Sequence, residues 1–326
     1  MKAFVHKNSE LKMAEIQDPI AEAGEVVVAL KVAGLNRRDL SVPGRRGHVN
    51  EALVLGSDGA GVVVSTGENV THIHEGDEVI INPSLGWFDE SSAPPNNFDI
   101  LGMPDNGTLA EKIVINAEQV EKKPAHLSWE EAGVLALSAL TGYRALFTRG
   151  QLKKGDTLFM PGAGSGVATY LIAFAKAIGA RVIVTSRNEE KRRKALQMGA
   201  DVALDTNSSW TDALKGETVD LVIDSVGGAT FNRSLSVLKK GGRMVVFGAT
   251  TEDTVDINLR DFFYGQYELI GSTMGSRKEL RDMLQFIEKH DISPVVDEVF
   301  DFDDIQKALD YMEASKQFGK IAVKVS

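Results

Sequence analysis

Short β-branched runs alternate with Gly, Asp and Pro turns over residues 1 to about 120: EVVVALKVAGL, GAGVVVSTG, GDEVIINP and GTLAEKIVI. That pattern predicts an irregular, mostly antiparallel β domain. From about residue 126 the period changes to strand, then helix, repeatedly. TLFMPGAG leads into VATYLIAFAKAIG, RVIVTS into NEEKRRKALQMG, and DLVIDSVGG into FNRSLSVLKKG; RMVVFGA follows, and ELIGSTM leads into RKELRDMLQFIEKH. Near-continuous apolar strands separated by helices predict a parallel sheet buried on both faces, a doubly wound α/β domain. The tail, PVVDEVFDFDDIQKALDYMEASKQFGKIAVKV, returns to strand, helix, strand and is expected to close back on the first domain. Residues 81–107, with Pro83, Pro94, Pro95 and Pro104, read as a long irregular excursion.

Composition narrows the function classes. The chain has 326 residues, 43% hydrophobic and 25% charged, enough for two domains. Its formal net charge of -10 argues against a nucleic-acid or anionic-membrane surface; the one basic run is Lys191–Lys194. The opening MKAFVHKNSELKMAEI has no apolar h-region, and no stretch approaches the roughly 18 apolar residues of a membrane span, so a soluble, cytoplasmic protein is expected. There is no cysteine, which excludes disulfides, thiolate catalysis and Cys-ligated metal.

The candidate chemistry starts at TLFMPGAGSGVA, a glycine turn between the first parallel strand and its helix. Such a turn lets a pyrophosphate approach the helix N-terminus, where free N–H groups and the dipole favour an anion. Gly162, Ala163, Gly164, Ser165, Gly166 and Val167 are therefore the predicted phosphate cradle of a dinucleotide, with Ser165 and Ala168 where glycine is more usual. The next strand ends in Ser186 and Arg187, with Lys191 a turn further on. An acidic residue there would favour NAD; Arg187 and Lys191 complement a 2′-phosphate, so NADPH is the expected cofactor. Lys191–Lys194 read equally as part of a solvated helix face, with Glu189 and Glu190 paired to the bases, whereas the turn fixes where Ser186 and Arg187 sit.

Taken together, AGLNRRDL (33–40), LVLGSDGAGVVVSTGENV (53–70), GDEVIINP (76–83), GTLAEKIVI (107–115), LSWEEAGVLALSALTGYRAL (127–146), the glycine turn, GGRMVVFGAT (241–250) and FGKIAVKV (318–325) resemble the medium-chain dehydrogenase/reductase superfamily, specifically its zinc-free quinone oxidoreductase-like branch. The resemblance implies a GroES-like β-barrel catalytic domain from residues 1–125 and 275–326, a Rossmann cofactor domain over 126–274, and a cleft holding the nicotinamide. It also implies homodimers or homotetramers, commonly paired through the last Rossmann strand, around ELIGSTM. The positions that hold zinc in metal-dependent relatives read Asn36, Ser57-Asp58 and Ser138 here. Neutral oxygens and one carboxylate make a poor zinc site, so no metal is expected.

Without that Lewis acid, alcohol oxidation becomes difficult, and hydride delivery to a quinone or an α,β-unsaturated carbonyl remains feasible. The resemblance places Asn36, Asp39 and Thr141 nearest the nicotinamide: Asn36 orienting substrate or carboxamide, Thr141 packing on the ring, Asp39 holding its loop or serving only as a helix cap. The later strand ends add Gly248, Thr250, Thr273 and Met274 as cofactor contacts, and Lys320 is expected to approach the phosphates from the returning tail, with a surface lysine as the competing reading. His48, Arg45 and Arg46 are weaker candidates in the loop 41–52, Tyr143 reads as packing, and Trp87 and Phe88 as local packing or an apolar lid. A reductase of another carbonyl or alcohol, and an NADPH-binding sensor with little turnover, remain alternatives.

Overall fold

Six strands, β1 (Thr157–Met160), β2 (Arg181–Ser186), β3 (Val202–Asp205), β4 (Val219–Asp224), β5 (Leu238–Val246) and β6 (Glu268–Gly271), form one sheet in the order 3-2-1-4-5-6. Every neighbouring pair is parallel. The central strands read apolar without alternation because helices cover both faces, and β1 is buried along its whole length. This sheet belongs to one of two compact units, Ala139–Met274; the other joins Met1–Ser138 to Gly275–Ser326. The computed structural model describes residues 1–326.

The second unit is built around the ten-residue strand Glu25–Gly34, which pairs antiparallel with Asp58–Thr66, Lys112–Asn116 and Lys320–Lys324. Two register shifts against Asp58–Thr66 bend the long strand. Lys320–Lys324 pairs on its other side with Val296–Asp301, in parallel, through the crossover helix Ile305–Glu313. Val26, Val28, Leu30, Val63, Val79, Ile81 and Ile113 fill one core of this unit, and Phe4, Leu35, Leu55, Leu109, Ile305 and Ile321 another. The excursion carries a small ladder, Ser84–Leu85 against Asp99–Ile100. Trp87, 1% exposed, packs edge-on to Phe98 and donates from Nε1 to Ser91 Oγ at 2.9 Å, so it serves local packing.

The helix Trp129–Gly133 lies on Glu25–Gly34, and residues 126–138 belong with this unit. Its approach requires glycine. A Cβ on Gly34 would lie 2.6 Å from the Gly133 carbonyl oxygen and 2.8 Å from Val134 Cα. Gly34→Ala should therefore lower stability by about 1–3 kcal/mol, read as a lower urea midpoint at unchanged m-value.

Candidate active site

In the α/β unit, parallel pairing brings every predicted cofactor loop to one edge of the sheet. After β1 the chain turns through Gly162 (φ 84°) and Gly164 (φ 104°), a left-handed backbone that glycine adopts without strain. The Gly162 and Ala163 N–H groups bond to the Thr185 carbonyl at 3.1 and 2.8 Å, tying the turn to β2. Ser165 caps the helix Gly166–Ala177, its Oγ accepting from Ala168 N–H at 3.1 Å. Gly166 and Val167 lie in the first turn, whose N–H groups have no intrahelical acceptor, so the turn fits an anionic pyrophosphate.

At the end of β2, Ser186 is buried, and its Oγ accepts from Asn188 N–H at 3.2 Å. Arg187 is exposed, whereas Arg192 is pinned by the Ser186 carbonyl at 2.7 Å and by Asp205 at 3.5 Å. Lys191 is half-buried, and Lys194 pairs with Glu190, as a solvated helix face would have it. Gly248 is half-buried after β5; Thr250 is exposed, its hydroxyl 3.4 Å from the Val226 carbonyl. Thr273 is half-buried and Met274 buried after β6. Thr141 is buried on the helix Ala136–Tyr143, and Tyr143 stacks edge-on against Phe147 and Phe174, which makes it a packing residue.

Asn36, Asp39 and Lys320 come together in the other unit. Lys320, expected to reach toward cofactor phosphates, is 3% exposed and spends its ammonium on the Leu35 carbonyl (2.9 Å), Asn36 Oδ1 (2.6 Å), Asp58 Oδ2 (3.1 Å) and Ser138 Oγ (3.3 Å). Asp58 is fully buried; its Oδ2 also accepts from Asn36 Nδ2 at 2.9 Å, and its Oδ1 from Leu137 N–H at 2.7 Å. Ser57 faces elsewhere, donating to the Leu101 carbonyl and accepting from Arg38. The partnership of Lys320 with Asp58 was not legible in the sequence; its only signal is a lysine and an aspartate each at the start of an apolar strand. His48 and Arg45 are exposed, and Arg46 is held by the His6 carbonyl at 2.8 Å.

Two family models match: an alcohol dehydrogenase GroES-like domain over residues 22–125 and a zinc-binding dehydrogenase domain over 166–289. A zinc-type alcohol dehydrogenase-like protein of Schizosaccharomyces pombe is 33% identical, covering 97% of this chain and 95% of its own. The chain belongs to the medium-chain dehydrogenase/reductase superfamily. It is an oxidoreductase of that family, with the GroES-like domain and Rossmann domain that the superfamily combines. An acryloyl-coenzyme A reductase of Sulfurisphaera tokodaii is 28% identical over 99% of this chain and 100% of its own. The crystal structure of an NAD-dependent alcohol dehydrogenase superposes with a TM-score of 0.92 at 31% identity, covering 100% of both chains.

Zinc does not fit this member of the superfamily. The positions offer an amide oxygen, hydroxyls and one carboxylate, and the carboxylate is already paired with an ammonium in their midst. A divalent ion brought there would face the charge of Lys320 without a thiolate or imidazole to hold it.

Asp39 sits in the first turn of the helix Arg37–Arg46, where a carboxylate suits the dipole, and Asn36 N–H donates to its Oδ2 at 2.7 Å. Its Oδ1 is buried without a partner. Burial pushes the carboxyl up to about 6, against the opposing pull of the Asn36 N–H and the charges of Arg38 and Lys320. Because this native value lies above the ordinary 3.8, Asp39 favours folding at low pH, and that contribution is lost as pH rises through about 6. A difference of about two units corresponds to about 3 kcal/mol. Asp39→Asn, which keeps the acceptor, should therefore gain stability relative to the parent between about pH 4 and pH 7 and no more above it, as read by urea denaturation across pH.

Proposed function

We propose that this protein is an NADPH-dependent, metal-independent reductase of α,β-unsaturated carbonyl compounds, with acyl thioesters the first class to examine. The observation that carries this reading is the lysine-filled cluster at Asn36, Asp58 and Ser138. With no Lewis acid held there, nothing lowers the pKa of an alcohol, whereas an electrophilic β-carbon needs positioning and a hydrogen bond to its carbonyl oxygen. Reduced nicotinamide supplies the hydride when bound. Asn36, with one Nδ2 hydrogen committed to Asp58, offers the second to an acceptor oxygen. Asp39 holds the Asn36 backbone, and Thr141 supplies packing surface for the nicotinamide. The glycine turn and Ser165 hold the pyrophosphate, Ser186 and Arg187 the 2′-phosphate with Lys191 beside them, and Gly248, Thr250, Thr273 and Met274 the remaining cofactor contacts. The likeness to an acryloyl-coenzyme A reductase supports the thioester class.

The outer strand β6 leaves one edge unpaired, and the preceding helix leaves Leu259, Phe263 and Tyr264 more than half exposed. A second copy pairing there gives the homodimer; Phe263→Glu should lower the sedimentation mass to that of one chain, and an unchanged mass would place any interface elsewhere.

Oxidation of NADPH and NADH should be followed against enoyl thioesters, enones, quinones, aldehydes and ketones. Turnover with the conjugated acceptors and preference for NADPH are expected; turnover confined to simple carbonyls, or cofactor binding without turnover, would overturn the reading. Arg187→Ala should raise the KM for NADPH roughly 10-fold or more and leave NADH unchanged, as loss of one charged hydrogen bond requires. Asn36→Ala should lower kcat far more than cofactor affinity.

A further inference from the structure

The side chains at three positions of the superfamily's metal-binding set, Asn36, Asp58 and Ser138, converge on one point of this chain, and that point is Lys320 Nζ. We infer that Lys320 is the protein's own replacement for a metal cation. Its ammonium, tethered at the start of the strand Lys320–Lys324, balances the buried Asp58 carboxylate and fixes which way the Asn36 carboxamide faces.

The orientation follows from the donor inventory. An ammonium only donates and a carboxylate only accepts. Asn36 lies between the two, 2.6 Å from Lys320 Nζ and 2.9 Å from Asp58 Oδ2, so its oxygen faces the lysine and its nitrogen the aspartate. The flipped amide would set NH2 against ammonium and oxygen against carboxylate, two repulsive contacts in a site closed to water. Asn36 is thereby held as an N–H donor. Lys320 has four oxygen acceptors for its three hydrogens, so its charge is spent inside the cluster and it acts through Asn36 as a positioning residue. This step rests on the reading of Asn36 as the side chain that orients substrate.

Chemical rescue tests it. Lys320→Ala leaves a cavity lined by a carboxylate and neutral oxygens, the complement of a primary alkylammonium ion. The variant should melt at lower temperature and lose roughly 10- to 100-fold in kcat/KM, the scale of a displaced hydrogen-bond donor. Propylammonium, which matches the three carbons and the nitrogen removed, should restore part of both losses with saturation, and tetramethylammonium, equally charged but without N–H groups, should restore neither. The doubly neutral variant Lys320→Met with Asp58→Asn guards against a misfolded single variant. It should fold, ignore both ions, keep its affinity for NADPH within a few-fold, and remain impaired in kcat/KM.

Parental kcat/KM in the double variant would reduce Lys320 to a structural role and overturn the inference. Rescue by tetramethylammonium as well would overturn it as a general salt effect. Loss of NADPH affinity with kcat preserved would overturn it in favour of a phosphate contact. Propylammonium-specific recovery of the melting temperature, in a protein whose parent turns over no conjugated acceptor, would sustain the cation site and sink the reductase reading.

Discussion

The buried ion pair between Asp58 and Lys320 is the constraint around which the β unit is arranged. Both side chains are almost wholly out of water, so neither is tolerated alone; removing one partner of such a pair costs about 3–5 kcal/mol. Satisfying the pair fixes four pieces of chain at once. Asp58 opens its strand, Leu35 and Asn36 leave the central strand, Leu137 and Ser138 bring in a helix, and Lys320 requires the tail to return beside Gly34. The close contact of Gly34 with Gly133 lies beside this junction, on the helix that precedes the one supplying Leu137.

A second constraint, separate from the first, organises the α/β unit. Parallel pairing sends every strand's carboxyl end to one side of the sheet, and the glycine turn, Ser186 and Gly248 follow those ends. The positive end of the helix Gly166–Ala177, its Ser165 cap and the exposed guanidinium of Arg187 give that edge the sign an anionic cofactor requires. The excess of acid over base elsewhere on the chain makes this local sign the informative one.

What the sequence made legible was local or periodic. Strand-helix alternation, the glycine turn and the Ser186-Arg187 pair each announce themselves within a few residues. The absence of thiolate and imidazole donors at Asn36, Ser57-Asp58 and Ser138 could be read directly from residue identities. The partner of Lys320 could not, since Asp58 lies 262 residues away in the chain and no periodicity marks a lysine that faces inward from an apolar strand. Asp39 shows the same limit: its place in a helix's first turn is readable, whereas its raised carboxyl depends on how completely the surrounding chain excludes water. The basic run Lys191–Lys194 looked uniform in sequence, and only the fold separates Arg192, pinned to Ser186 and Asp205, from the exposed Arg193.

The decisive measurement is the rate of enoyl-thioester reduction by NADPH, with metal content determined on the same sample, before and after exhaustive chelation and then with zinc added back. A chain whose cation is its own lysine should carry no stoichiometric metal and keep its rate through all three stages. A rate that falls on chelation and returns with zinc would contradict the metal-free site and the place given to Lys320 within it.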